Sequence, residues 1–152
     1  MDGKLFFEFL QVVILAVGGW IALRTFERDS KLRRTEWMYR LYEQFYESDR
    51  LKPMRRLIDY APAEEIAALK ADLEKGNFSE AHEALVDYLN FFEFIAVQVR
   101  RNNLSRSEVM DMFDYYIRRL KDHAFIADYL RTNGFENLDG LLRGIQSKKS
   151  LK

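Results

Sequence analysis

The sequence has no cysteine, only two prolines and two histidines, and its 24 basic side chains are balanced by 24 acidic ones. Without cysteine there is no disulfide framework, no thiol nucleophile and no cysteine-based zinc site. Zero net charge gives no global attraction to polyanions, so nucleic acid is not an expected partner. His82 falls in the first turn of its helix, where it reads as exposed, and has Val86 rather than a ligand at i+4; His123 has Asp122 and Asp128 nearby but no second imidazole. Neither has the spacing of a metal site. The glycine patterns of dinucleotide-binding turns, phosphate loops and nucleophile elbows are missing too. No cofactor, no metal and no catalysis are therefore expected.

With 48% hydrophobic and 14% aromatic residues in 152, the chain has enough apolar material for one modest core. Mean hydropathy of -0.34 describes a soluble protein, but only as an average. From Phe6 to Leu23 the strongly polar side chains are Glu8 and Gln11 alone. As a helix this stretch is about 27 Å long, close to the roughly 30 Å of bilayer hydrocarbon. Glu8 lies near its outer edge, where a carboxylate reaches headgroups at far less than the mid-bilayer cost. Basic residues follow at once: Arg24, Arg28, Lys31, Arg33 and Arg34. Such a cluster holds its side of the span on the cytoplasmic face and meets anionic headgroups there.

A cleaved signal peptide competes with the anchor, since Ala16-Val17-Gly18 has a small-x-small form. Against it, the n-region has no net positive charge and the apolar run continues past that point into Trp20-Ile21-Ala22-Leu23. Along one stripe of the span lie Glu8, Gln11, Leu15, Gly18, Ala22 and Thr25. Gly18 and Ala22 form a small-xxx-small pair of the kind that lets membrane helices approach. The stripe reads either as a self-association face or as the ordinary abundance of small residues in spanning helices.

Beyond Phe26 no period-2 alternation occurs, and an all-α class follows: a single transmembrane helix plus a cytoplasmic helical bundle. The expected division is an anchor at 1–28, a helical domain at 29–146 and a basic tail at 147–152. The stretch from Glu27 to about Tyr46, with no breaker, is predicted to continue the membrane helix as a stalk that then joins the core, and helices are predicted from Arg50 to Asp59 with Ser48-Asp49 as cap and from Pro62 to Lys75 ahead of Gly76. A longer one follows from Glu80 to Asn102 behind Ser79, then another from Ser105 to Arg131, and a short one over Leu138 to Ile145. Ser105 and Glu108 have capping-box spacing. The short Asn102-Asn103 connection predicts an antiparallel pair.

The densest local signal is the segment from Leu89 to Arg101, where Glu93 lies inside an aromatic run. A carboxylate there is partly desolvated and needs partners. Asn90, Arg100 and Arg118 are the candidates, forming with Glu93 either a buried polar network that fixes helix register or a ligand-reading site. Arg55-Arg56, Arg100-Arg101 and Arg118-Arg119 are pairs whose forks suit a small anion such as a nucleotide phosphate.

Around Asn90-Phe91-Phe92-Glu93, the Arg100-Arg101 pair, Tyr116 and Arg118, the chain resembles a family of small bacterial proteins of uncharacterised function, with a membrane helix ahead of a helical domain carrying an NFFE-type segment. Asn102-Asn103 replaces the small residue usual after the arginine pair. The resemblance implies a membrane-anchored helical domain and no activity; together with the basic flank, the expectation is a bacterial inner-membrane protein with its C-terminal domain in the cytoplasm. Two functions remain: a noncatalytic module binding a membrane-protein partner or itself as a homo-oligomer, or a ligand-gated oligomeric effector that senses a small anion or nucleotide and perturbs the lipid bilayer.

Overall fold

The computed structural model describes residues 3–76 and 78–147, apart from the side chains at 4, 5, 7 and 145–147. The described residues form helices only: α1 (Gly3–Glu47), α2 (Lys52–Tyr60), α3 (Ala63–Lys75), α4 (Glu80–Arg100), α5 (Arg106–Asp122), α6 (Ala124–Thr132) and α7 (Glu136–Ser147). The chain divides into two compact units, Met1–Gln44 and Phe45–Lys152. The boundary between them lies inside α1, which continues without a break beyond the apolar stretch, as expected of the stalk. The expected basic tail, beyond the backbone of Ser147, lies outside the described residues.

The first unit is most of α1. Its apolar side chains, from Phe9 through Ile14, Leu15 and Trp20 to Phe26, are exposed.

The second unit starts with the last turn of α1 and assembles around it. Phe45 is fully buried, with ring centroids 5.2 Å from Phe91, 5.5 Å from Phe92, 5.2 Å from Phe113 and 4.7 Å from Tyr116. Leu85, Leu89 and Ile95 from α4 and Val109, Ile117 and Leu120 from α5 extend this core at helical spacing. The helix lying most extensively against α4 is α7, not the expected partner α5. Large rings hold α4 and α5 apart: Phe92 and Phe113 meet edge-on at 5.8 Å between centroids.

Local signals set several ends. Gly76, at φ 67°, closes α3 in the left-handed region. Ser79 Oγ accepts from the His82 amide and starts α4. Ser105 and Glu108 complete a capping box at α5, with Ser105 N donating to Glu108 Oε2 at 2.7 Å. In the turn between, Asn102 takes φ 59°, a conformation that asparagine tolerates better than most residues.

Two expectations about helix ends change. The cap of α2 is not Ser48-Asp49: its N-cap is Leu51, without a side-chain hydrogen bond, and Ser48 instead accepts from Leu51 N and Lys52 N through its carbonyl. The helix from Ser105 does not run to Arg131 but breaks at His123, which is extended at φ -102°, ψ 97°. A continuous helix would carry Ile126 to the side opposite Phe113, Ile117 and Leu120, and Leu130 off their stripe. The break lets both sets be buried.

Candidate functional site

Glu93 is half-buried, and its carboxylate is aimed at the start of α7. Oε2 accepts from Leu138 N at 2.7 Å, and Oε1 accepts from Asn137 N at 3.3 Å and from Asn137 Nδ2. The position before α7 is Phe135, whose side chain has no oxygen with which to cap. Glu93 therefore fills the N-cap role from another helix, satisfying amides otherwise left without acceptors and placing negative charge at the positive end of the helix dipole. The four residues expected to form one network are dispersed. Arg118 pairs with Asp114 on its own helix at 2.6 Å, and Asn90 and Arg100 are exposed. Sequence reasoning singled out Glu93 but missed its partner; the available signal was an N-terminus at Phe135 with no capping residue of its own.

A second convergence is at the end of α1. The guanidinium of Arg55 donates to the Phe45 carbonyl and, at 2.8 Å, to the Tyr46 carbonyl. It also lies 5.2 Å from the Phe45 ring centre and 5.5 Å from that of Tyr46. Arg55 thus supplies hydrogen bonds to carbonyls that a helix end leaves open, with a cation where the dipole favours one. Behind it Tyr88 is fully buried with its hydroxyl unpartnered; burial pushes this phenol well above its ordinary pKa, and Tyr116 and Asp59 push it further. Tyr116 is also raised, by burial first and then by its hydrogen bond with Tyr46. On α5, Arg119 donates to the Ile58 carbonyl of α2 at 2.8 Å. Arg55, Arg118 and Arg119 are thus each engaged by groups of the chain itself.

In the first unit, Glu8, Gln11, Leu15, Gly18, Ala22 and Thr25 are all exposed. Thr25 Oγ1 donates to the Ile21 carbonyl at 2.9 Å, so its polar group is satisfied along the helix. A Cβ added at Gly18 would meet nothing within 4 Å. The guanidinium of Arg24 lies 5.0 Å from the Trp20 ring centre, a cation–π contact one turn apart. Arg24, Arg28, Lys31, Arg33 and Arg34 are exposed on the turns that follow the apolar stretch.

The histidines differ from each other. His82 is buried rather than exposed: its Nε2 lies 3.0 Å from the Tyr129 hydroxyl, and its ring stacks with Phe78. His123, at the α5–α6 break, has Nε2 buried without a partner; burial lowers its pKa, with Arg119 adding to the effect and Asp122 opposing it. Among the described residues no group of three histidine or acidic side chains is placed to hold a metal ion.

The family model for a domain of unknown function, DUF4760, matches residues 12–132. The chain belongs to this family. No curated protein and no solved structure matches it.

The matched region opens inside the apolar stretch of α1 and closes at the end of α6. The apolar helix, the Arg55 contact and the His82–Tyr129 pair are therefore parts of the DUF4760 domain. Helix α7, with the amides that Glu93 caps, follows it. Among the described residues one helix, α1, is long and apolar enough to cross a membrane, and none of its most apolar window is buried within the chain.

Proposed function

We propose that this DUF4760 protein is a noncatalytic, single-pass inner-membrane protein whose helical domain is cytoplasmic and mediates protein interaction, including self-association of the anchor. One observation carries the reading. The most apolar window of α1 has no burial, whereas the second unit buries most of its leucines and, around Phe45, the rings of Phe91, Phe92 and Phe113. An unburied run of that length is strongly disfavoured in water and matched by hydrocarbon. A soluble core helix, the ordinary rival, buries its apolar face. The arginines beyond Leu23 support a cytoplasmic second unit, and the exposed stripe through Gly18 and Ala22 supports homo-oligomer formation or a membrane-protein partner.

The test is fractionation of the full chain. It should sediment with membranes and resist carbonate extraction, and Leu15→Arg, at the centre of the span, should shift it towards the soluble or degraded fraction. Arginine there costs roughly 2.5 to 3.5 kcal/mol of insertion free energy. A wild-type chain that stays soluble after high-speed centrifugation would overturn the proposal.

The ligand-gated effector has a narrower footing. Its anion was to be held by arginine pairs, of which Arg55, Arg118 and Arg119 already bind carbonyls or carboxylates of the chain. The cleft lined by Phe78, His82 and Tyr129 has no arginine, and in a smaller one beside α5 and α7 the lining Arg131 and Arg143 are paired with Asp128 and Asp139.

A further inference from the structure

A cleft of about 590 Å³ opens between the end of α3, the first turns of α4, and α6. Its size is within the range of small-molecule sites, which run from about 300 to 1,000 Å³. Leu73, Val86 and Phe125 supply apolar lining; Phe78, His82 and Tyr129 supply flat faces and polar atoms.

The chemistry of an occupant follows from four observations. First, the Phe78 and His82 rings are parallel within 5°, with centroids 5.3 Å apart, while Tyr129 stands edge-on to His82 at 84°. Flat walls of this kind take a flat ring, by offset stacking or edge contact. Second, Phe78 is 95% exposed although it lines the cleft, so its ring gains burial only when something enters beside it. Third, the polar atoms are built in. His82 is only 7% exposed and shares one hydrogen bond with Tyr129, whose hydroxyl, with one donor and two acceptor positions, retains capacity for a ligand N–H. Fourth, the rim charges are matched: Lys70 faces Glu74 at 3.7 Å, and Asp128 pairs with Arg131. Among the described residues lining the cleft, no surplus cation awaits a phosphate or carboxylate.

We infer that this cleft binds an uncharged, planar heteroaromatic ligand carrying an N–H donor, stacked against Phe78 and read by the Tyr129 hydroxyl. This differs from the anion that the arginine pairs suggested. The cleft belongs wholly to the second unit, so the inference is independent of how α1 meets the bilayer.

Benzimidazole is a suitable probe, being neutral near pH 7 with one N–H and one acceptor nitrogen. Calorimetric titration of the full chain in detergent micelles, against an empty-micelle blank, should give saturable one-to-one binding in the upper micromolar to millimolar range expected of a fragment. Phe78→Ala, at an exposed position, should weaken it several-fold. Tyr129→Phe should weaken it roughly tenfold, as expected when one buried hydrogen bond is lost. Tyr60→Ala, at an exposed ring elsewhere, should leave it unchanged. Circular dichroism melts identify any variant that has lost its fold. Heats equal to the blank would overturn the inference, as would binding unaffected by both cleft substitutions in folded protein. Tighter binding of benzimidazole-5-carboxylate would overturn the uncharged class.

Discussion

The Glu93 carboxylate holds the backbone amide of Leu138 at 2.7 Å, so the start of α7 is capped by a residue of α4. Glu93→Ala should destabilise the protein by roughly 1 to 3 kcal/mol, the range for hydrogen bonds to a charged group and for lost caps. Glu93→Gln, which keeps one acceptor oxygen and loses the charge, should fall between. Thermal melts measure the total, and hydrogen exchange locates it: the amides of Asn137 and Leu138 should exchange faster. Arg118→Ala should change the melt little, since its partner Asp114 is one turn away on the surface. An unaltered melt for Glu93→Ala would remove the capping role.

The grip of Arg55 on the end of α1 combines two carbonyls with two rings. Arg55→Lys keeps the charge but loses the planar fork, and should recover less than half of the stability lost by Arg55→Ala. The comparison is read from melts of the two variants in the same detergent. Equal stability of Lys and Arg would show that charge alone acts there.

His123 makes stability depend on pH in a definite direction. Its folded-state pKa is below the ordinary 6.5 because burial disfavours the imidazolium. Below 6.5 the unfolded chain therefore binds the proton more readily than the folded one. The stabilisation by neutral His123 is complete above 6.5 and is lost as pH falls from there through the lowered folded value. His123→Gln should flatten this part of the profile, measured as the difference in melting temperature between the two proteins at each pH. Parallel profiles would contradict the assignment.

Gly18→Leu tests the stripe on α1. A side chain at Gly18 meets open space within the chain, so the substitution leaves the single helix unstrained. It should nevertheless reduce crosslinking between copies in membranes by several-fold, since Leu holds helices apart where Gly allows close contact. Undiminished crosslinking would place any contact on another face.

Much of this architecture was legible in local chemistry. Gly76, Ser79 and the Ser105–Glu108 box each act within a few residues, and each marks the helix end it was expected to mark. The apolar run of α1 was legible for the same reason. What escaped depends on partners distant in sequence. The break at His123 has no glycine or proline and shows only as a phase change, with Ile126 and Leu130 out of step with Phe113 and Ile117. Glu93 looked noteworthy among its phenylalanines, but its target is a pair of amides that no side-chain pattern reveals. His82 appeared exposed because burial comes from Tyr129 on α6, which the sequence places far away.

The position of Phe45 has a consequence for biosynthesis. The ring at the centre of the second unit belongs to the last turn of α1, while Phe92 and Phe113, which enclose it, are translated much later. On a ribosome, the apolar helix emerges before the other rings that pack around Phe45 have been made. A truncated chain beginning at Ser48, where the helix ends, would be missing that ring and should fail to fold; beginning a few turns earlier, inside the helix, keeps it.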